Sequence, residues 1–253
     1  MLIDTHCHLF REYYDDIDDV IRKAYDNGVG MVVVNGCDDE SNREVLELVK
    51  KYDIVYGALG IQPEEIDNIS DDSFRFIEKH INDDKIVAVG EIGLDYHYDC
   101  DKNRQCEVFK KQLDIAYKYN KPVIVHSRDC IQETYNILKS SKVRGILHCY
   151  SGSVEMADEF NKIGFLLGIG GVCTFKNAKN IIEVIKSVGL EYIVLETDAP
   201  YLTPEPYRGG RNDPSNVVVI AKKICELKGL NFKEVSEATT KNVLRLFDKE
   251  INL

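Results

Sequence analysis

Histidine and carboxylate side chains end five short apolar segments of this 253-residue chain. Two of the histidines lie two residues apart in Asp4-Thr-His-Cys-His8. Imidazole nitrogens and carboxylate oxygens are donors that suit divalent metal ions. If the fold brings them together, they suffice for two divalent metal ions (zinc, manganese or magnesium) with positions left open. The candidate ligands are His6, His8, Glu91, His126, His148 and Asp198.

Each of these residues, taken alone, also has an ordinary structural explanation. An isolated His-x-His pair is a weak signal, and Glu91 could simply form a salt bridge. His126 and His148 could be core or surface histidines, and Asp198 could cap the turn before Pro200. The joint pattern favours the metal interpretation, because residues i and i+2 of a strand share a face.

Eight β-type segments run through the chain, and five of them contain or shortly precede the candidate ligands. They lie near residues 2–4, 31–35, 55–60, 86–91, 122–126, 145–148, 165–168 and 193–196. They are continuous apolar runs, which are typical of parallel strands buried on both faces. Apolar stripes at helical spacing, such as residues 13–24 and 109–117, separate them. Strands that alternate with helices predict an α/β fold, and eight repeats favour a (β/α)8 TIM barrel over an open sheet.

A TIM barrel places the carboxyl ends of its strands at one rim, where such barrels carry their chemistry. We therefore expect the six candidate ligands to converge there, which indicates a metal-dependent hydrolase. One domain is expected over residues 1–253, because no linker, repeat or low-complexity tract interrupts the pattern. Within it, Ser41 and Glu44 predict a capping box that opens a helix ending at Lys51.

The segment from Asp198 to Pro214 holds four of the six prolines. Its composition predicts an irregular loop, because proline interrupts helices and strands. The loop leaves the same rim as Asp198, so we expect it to form one wall of the site. Two helices, over residues 215–228 and 232–247, are then expected to close the chain.

Arginines near the same rim are candidates for binding phosphate. Arg128 lies two residues after His126, and Arg208 and Arg211 lie in the proline-rich loop. Guanidinium groups match phosphate oxygens bidentately, although solvated charges or ion pairs that fix the loop are equally ordinary roles. Tyrosines that could stack on a base at the mouth, or only pack beside the barrel, are Tyr96, Tyr150 and Tyr201.

Composition restricts the class of protein. A formal net charge of −11 argues against nonspecific nucleic-acid binding through a basic surface. It leaves room for a nuclease with a local basic rim, because two bound cations would reverse the local potential. The apolar runs are too short to span a bilayer and no signal peptide is expected, so we expect a cytoplasmic protein. Its eight cysteines form no C-x-x-C pair and are expected to be reduced thiols.

Several stretches together resemble the TatD family of metal-dependent hydrolases, within the amidohydrolase-like superfamily. They are residues 3–8, 89–96, 122–129, 148–152 and 195–204, followed by the loop 208–214. The resemblance covers essentially the whole chain and keeps the motif order. It implies a divalent-metal-dependent phosphodiester hydrolase, namely a 3′–5′ exodeoxyribonuclease that acts on DNA ends or single-stranded DNA.

The resemblance also implies a role for each candidate ligand. One ion would be held by His6, His8, Glu91 and Asp198. The second ion would be held by Glu91, His126 and His148. Glu91 would thus bridge the two ions, and Asp198 would orient or deprotonate the attacking water.

One position departs from the family pattern. Where the family usually has Gly-x-His-Pro, this chain reads Gly60-Ile-Gln-Pro63. Gln62 can hydrogen-bond a phosphate or a water, but it cannot act as an acid, a base or an imidazole ligand. The chain could therefore be slower or take another substrate, and His97 could replace the missing histidine in part.

Two other functions stay open from the sequence alone. The same site could cleave a small ester, amide or phosphoester, because a metal cluster does not fix the substrate. A catalytically impaired metal-binding protein is favoured only by Gln62. The sequence leaves the native metal and the oligomeric state open, and a monomer is compatible with it.

Overall fold

A computed structural model describes residues 1–249, and its centre is one sheet of eight parallel strands. Each strand pairs with the next in sequence, so the spatial order equals the chain order. The strands are β1 (Leu2–Cys7), β2 (Val29–Asn35), β3 (Val55–Leu59), β4 (Ile86–Asp95), β5 (Val123–Arg128), β6 (Gly145–Leu147), β7 (Phe165–Ile169) and β8 (Ile193–Leu195). The predicted TIM barrel is confirmed.

Helices alternate with the strands and surround the sheet. Within residues 1–249 the α-helices are α1 (Ile17–Asp26), α2 (Asp39–Lys51), α3 (Asp71–His80), α4 (Lys102–Lys118), α5 (Ile131–Ser141), α6 (Val154–Lys162), α7 (Lys179–Ser187), α8 (Val217–Lys228) and α9 (Phe232–Leu246). None of the helices in this part of the chain has both the length and the apolar character needed to cross a membrane. The two closing helices and the irregular loop before them agree with the sequence analysis.

Backbone hydrogen bonds between β1 and the segment after β8 bring the two ends of the sheet together. The Asp198 amide donates to the His6 carbonyl (2.9 Å), and the His8 amide donates to the Ala199 carbonyl (2.7 Å). Cys7 and Ala199 form a parallel bridge between these bonds. Closure therefore places the first and last candidate ligands of the chain side by side.

A cluster of apolar side chains fills the amino-terminal end of the barrel. It includes Ile124 of β5, Ile146 of β6 and Val194 of β8, which pack with Val243 and Phe247. Burying these side chains is the main favourable contribution to folding at this end. Because strand side chains have a period of two, residues that follow these at even spacing also face the barrel axis.

The strands β5, β6 and β8 carry their functional residues at this even spacing. His126 lies two residues after Ile124, and His148 lies two residues after Ile146. Asp198 lies four residues after Val194. The period of two that builds the core thus also directs the side chains of His126 and His148 to the carboxyl-terminal rim. Asp198 lies beyond the end of β8 with a φ of +57°, so the turn there sets its direction.

The strands β1 and β4 break the same period. Ile3 and Ala88 belong to the interior cluster, and strict alternation from them would direct Thr5 and Gly90 inward. However, the pairing register shifts between Asp4 and Cys7 of β1, and between Val89 and Ile92 of β4. Such irregularities re-aim a side chain. Because of these shifts, His6 of β1, His8 directly after β1 and Glu91 of β4 reach the interior.

Some predicted element ends are wrong. β4 extends to Asp95 and β5 to Arg128, because the two strands keep pairing as far as those residues. Asp38, and not Ser41, caps α2. Its carboxylate accepts from the Ser41 amide (2.8 Å), while the Ser41 hydroxyl accepts from the Asp38 amide (2.9 Å). Glu44 accepts instead from the Arg11 amide (2.8 Å).

Gly93→Ala should destabilise the barrel, because β4 and β5 approach closely at this glycine. A Cβ atom at Gly93 would lie 2.0 Å from the His126 carbonyl oxygen, and the backbone φ is +150°. We expect the free energy of unfolding to fall by about 1–3 kcal/mol, as for other overpacked sites, in urea denaturation. Gly170→Ala is the control, since its nearest neighbours would lie at 3.7 Å. Equal midpoints for the two variants would contradict the close approach.

Candidate metal centre

Five of the six candidate ligands form a compact group at the carboxyl-terminal rim, called the ligand cluster below. The His6 and His8 Nε2 atoms lie 3.1 Å apart. Glu91 Oε2 lies 3.4 Å from the first of these nitrogens and 3.6 Å from the second. Asp198 Oδ1 lies 3.7 Å from both nitrogens and 3.6 Å from His148 Nε2. Residues spread over nearly the whole chain thus direct donor atoms to one point.

The donor set of the ligand cluster fits divalent metal. Within it, the groups His6–His8–Asp198 and His6–Glu91–His148 each have donor atoms no more than 4.8 Å apart. His6 Nδ1 is buried and has no hydrogen-bond partner within residues 1–249. Imidazoles and carboxylates thus converge here, and not all of their polar atoms are hydrogen-bonded to one another. Zinc and manganese take donors of these types.

His126 lies beside the cluster, between two carboxylates. Its Nδ1 lies 3.0 Å from Glu91 Oε1, and its Nε2 lies 3.0 Å from Asp95 Oδ2. The centroids of the His126 and His148 rings are 6.1 Å apart. The two oxygens of Glu91 therefore face different partners, His6 on one side and His126 on the other. This is the arrangement that a bridging carboxylate requires.

Protonated imidazoles balance the negative charge of the carboxylates in and beside the cluster. Burial disfavours the charged form of His126, but its hydrogen bonds to Asp95 and Glu91 outweigh burial and raise its pKa to about 10. Burial also opposes protonation of His148, yet Glu196 and Asp198 raise its pKa to about 9. A bound cation would take the place of these protons, so metal binding is expected to release them.

The pKa values of the remaining candidate ligands are lowered in three cases and raised in one. Burial holds the pKa of His6 well below its usual value, and it also lowers the pKa of His8. Both rings are therefore neutral near pH 7, which is the form that binds metal. Burial raises the pKa of Asp198 to about 7, against the opposing effect of His148. Burial also favours a higher pKa for Glu91, but His6 and the other imidazoles outweigh burial and hold the pKa of Glu91 well below its usual range.

Sequence reasoning missed two buried carboxylates that hold the histidines. Asp95 accepts a hydrogen bond from the His97 amide (2.8 Å) while its other oxygen faces His126. Glu196 is fully buried, accepts from the Cys149 amide (2.5 Å) and lies 3.0 Å from His148 Nδ1. A signal for Glu196 was present, because it stands two residues after Val194, whose side chain faces the barrel interior.

Cys37 also adjoins the cluster without having been predicted. Its Sγ lies 3.5 Å from His8 Nδ1 and 4.0 Å from Glu91 Oε2. His8 Nδ1 lies 3.1 Å from the Asn35 carbonyl, which fixes the ring so that Nε2 faces the other donors. The thiol therefore packs behind the His8 ring.

Gln62 lies near this thiol. The backbone amide of Gln62 donates to the Cys37 carbonyl (2.9 Å), and this bond places Gln62 beside the rim of β2 and β3. Its side chain is half-buried and forms no hydrogen bond within residues 1–249. His97, considered above as a partial replacement, has its Nδ1 2.9 Å from Asp129 Oδ2. The ring of His97 is therefore already paired outside the cluster.

The three predicted phosphate-binding arginines share an arrangement. All are exposed, none forms an ion pair within the described residues 1–249, and each guanidinium lies over an aromatic ring. Their positive charge is therefore not neutralised by a neighbouring carboxylate. The pairs, with the distance from guanidinium carbon to ring centroid, are Arg128–Tyr98 (5.4 Å), Arg208–Phe175 (4.1 Å) and Arg211–Tyr14 (5.7 Å).

Comparison with known proteins assigns the chain to a family. The family described as TatD related DNase matches residues 3–248. The chain belongs to the TatD family. It is 42% identical to the uncharacterized metal-dependent hydrolase YabD of Bacillus subtilis, over 98% of this chain and 99% of that protein. It is 35% identical to the uncharacterized metal-dependent hydrolase YcfH of Escherichia coli, over 97% and 95%.

Solved structures agree with this assignment to the TatD family. The crystal structure of YJJV, a TatD homolog from Escherichia coli, superposes with a TM-score of 0.94 at 33% identity. The match covers 98% of both chains. The barrel and the order of its elements are therefore those of the TatD family.

Asp95→Asn in this TatD family member should weaken metal binding. The carboxylate fixes the His126 ring through Nε2, and loss of such an outer carboxylate typically costs 10- to 100-fold in metal affinity. We expect a loss in this range for Mn²⁺ or Zn²⁺, measured by competition with a chromophoric chelator. Asp129→Asn is the matched control, because Asp129 is an exposed rim carboxylate that pairs with His97. Unchanged affinity in Asp95→Asn would show that Asp95 does not orient the ligand.

Proposed function

We propose that this TatD family hydrolase cleaves phosphodiester bonds with divalent metal, as a 3′–5′ exodeoxyribonuclease on single-stranded DNA or DNA ends. The observation that carries the proposal is the ligand cluster, in which buried imidazoles and carboxylates meet at an open barrel rim. The matching family is described as TatD related DNase, which supports a DNA substrate. The nuclease proposal builds on the chain's membership of this family of metal-dependent hydrolases.

Two sets of residues would hold the ions. His6, His8 and Asp198 offer the first set, and His126 and His148 lie toward the second. Glu91 directs one oxygen to each side, so it would be shared. When bound, divalent ions lower the pKa of a water and neutralise charge on a phosphoryl oxygen.

The chain's own residues would perform the remaining steps. Asp198 is partly buried at the meeting point of three imidazoles, and its carboxylate would take the proton of the attacking water. Arg128, Arg208 and Arg211 would bind nonbridging phosphate oxygens, because their charges are not paired with carboxylates. Gln62 would donate a hydrogen bond to the same phosphate, but it cannot protonate the leaving oxygen.

Asp198→Asn should abolish most of the hydrolysis of an end-labelled single-stranded oligodeoxynucleotide. Loss of a positioned proton acceptor costs about 10²- to 10⁴-fold, and we expect a drop in kcat of this size. His126→Ala should also lose activity. Asp129→Asn, an exposed carboxylate on the same rim, should keep wild-type activity. A ladder that shortens from the 3′ end, at normal rate in either active-site variant, would contradict the proposal.

Removal of metal should affect stability as well as activity. Ligands that bind only the folded state stabilise it by mass action. Chelation should therefore lower Tm in a thermal scan and stop cleavage, and adding Mn²⁺, Mg²⁺ or Zn²⁺ should restore both. If metal-loaded, folded protein hydrolyses a small ester but leaves the oligonucleotide intact, the substrate assignment is wrong while the metal centre stands.

A further inference from the structure

Two tyrosines form an exposed wall beside the ligand cluster. The side chain of Tyr201 is 49% exposed, and its ring centroid lies 6.2 Å from that of His8. The Tyr13 ring lies 5.8 Å from the Tyr201 ring at an angle of 68°. Their hydroxyls are joined by a hydrogen bond of 3.1 Å. The ring edges are thus tied together, while a large part of the Tyr201 surface faces solvent next to the site.

Buried contacts hold this wall in place. The Tyr201 backbone amide donates to the Asp198 carbonyl (2.8 Å), so the backbone of Tyr201 is fixed relative to a proposed ligand. Asn212 is fully buried, and its amide group donates to the Tyr201 carbonyl (2.7 Å) and the Thr197 carbonyl (2.8 Å). Tyr14, the neighbour of Tyr13, donates its hydroxyl to the Asn212 carbonyl (2.7 Å). The wall is therefore preorganised, which reduces the entropy lost when a ligand binds.

Two roles are compatible with such a pair. The tyrosines could tether the β1–α1 loop to the proline-rich loop through their hydroxyls. Alternatively, they could offer an aromatic surface to a planar ligand. Tyr201 is half-exposed and lies beside His8 of the cluster. A tyrosine that served only to pack the core would be buried, so its exposure favours the aromatic surface. The tether needs the hydroxyl and the surface needs only the ring, so the roles are separable by substitution.

We infer that Tyr13 and Tyr201 form a stacking platform for the nucleobase next to the reacting phosphate. This inference rests on the proposed function and specifies its substrate as a single-stranded nucleic acid. Stacking on aromatic rings tolerates any base, since every base has a π face. A paired duplex leaves such faces free only at its ends. The platform therefore selects single strands and frayed ends.

The charge beside the platform fits the same substrate. The exposed Arg211 lies over the buried ring of Tyr14 and directly precedes Asn212, whose side chain donates to the Tyr201 carbonyl. Proteins bind single-stranded nucleic acid by combining such cations along the backbone with aromatic rings under the bases. The base would lie on Tyr201 while a neighbouring phosphate contacts the arginine. Binding would thus weaken with added salt.

The test measures stacking without requiring hydrolysis. The probe is an oligodeoxynucleotide with phosphorothioate linkages and 2-aminopurine at the terminal or penultimate position. Added to Mn²⁺-loaded protein, it should lose fluorescence as the fluorescent base stacks. Tyr201→Ala should abolish this quenching and weaken binding about tenfold, whereas Tyr201→Phe should retain both. Tyr25→Ala is the control, because Tyr25 is a 65% exposed ring on α1. Circular dichroism and Tm verify that each variant is folded.

A second probe assigns the effect to the base. An abasic residue in place of 2-aminopurine should weaken binding to the wild type as much as Tyr201→Ala does, and cause no further loss in that variant. Quenching that Tyr201→Ala leaves intact would overturn the platform, as would equal losses in the Phe and Ala variants. Normal quenching without cleavage of an unmodified oligonucleotide would instead refute the nuclease proposal and keep the platform.

Discussion

The direction of a side chain on a β-strand has a period of two, and the ligand cluster depends on where this barrel keeps and breaks that period. β5 and β6 keep it, so His126 and His148 point inward like the core residues before them. β1 and β4 shift register at the residues where inward and outward positions must exchange. Without those shifts His6, His8 and Glu91 would face away from the axis, and the ligand cluster would not form.

Closure of the barrel is the second requirement for the site. Asp4 is fully buried and accepts hydrogen bonds from the amide of Thr197 (2.9 Å) and from that of His6 (3.2 Å). These contacts join the same two segments as the backbone bonds of His6, His8 and Asp198. The geometry of the metal centre is therefore set by buried hydrogen bonds. The electrostatic cost of burying several carboxylates is met by protonated imidazoles or, in their place, by cations.

Much of the fold and the identity of the candidate ligands follow from the sequence. Apolar runs that end in His, Glu or Asp predict eight parallel strands, and topology then implies a common rim. Helix α3 was not predicted, since its buried face consists mainly of Phe74 and Ile77 and gives a short periodic signal. The register shifts have no residue signature, because they arise from pairing with neighbours. Asp95 and Glu196 were missed, since a buried carboxylate differs from an exposed one only through tertiary contacts.

The interior cluster of apolar side chains and the ligand cluster occupy opposite ends of this barrel. Val243 and Leu246 of α9, with Phe247 directly after it, seal the amino-terminal end, while the ligand cluster and its loops occupy the other end. These interior apolar side chains are buried at the end that no substrate reaches, so a substitution in the rim loops leaves them unchanged. Such a division favours evolvability: the specificity of the enzyme can drift through loop substitutions that natural selection does not remove for instability.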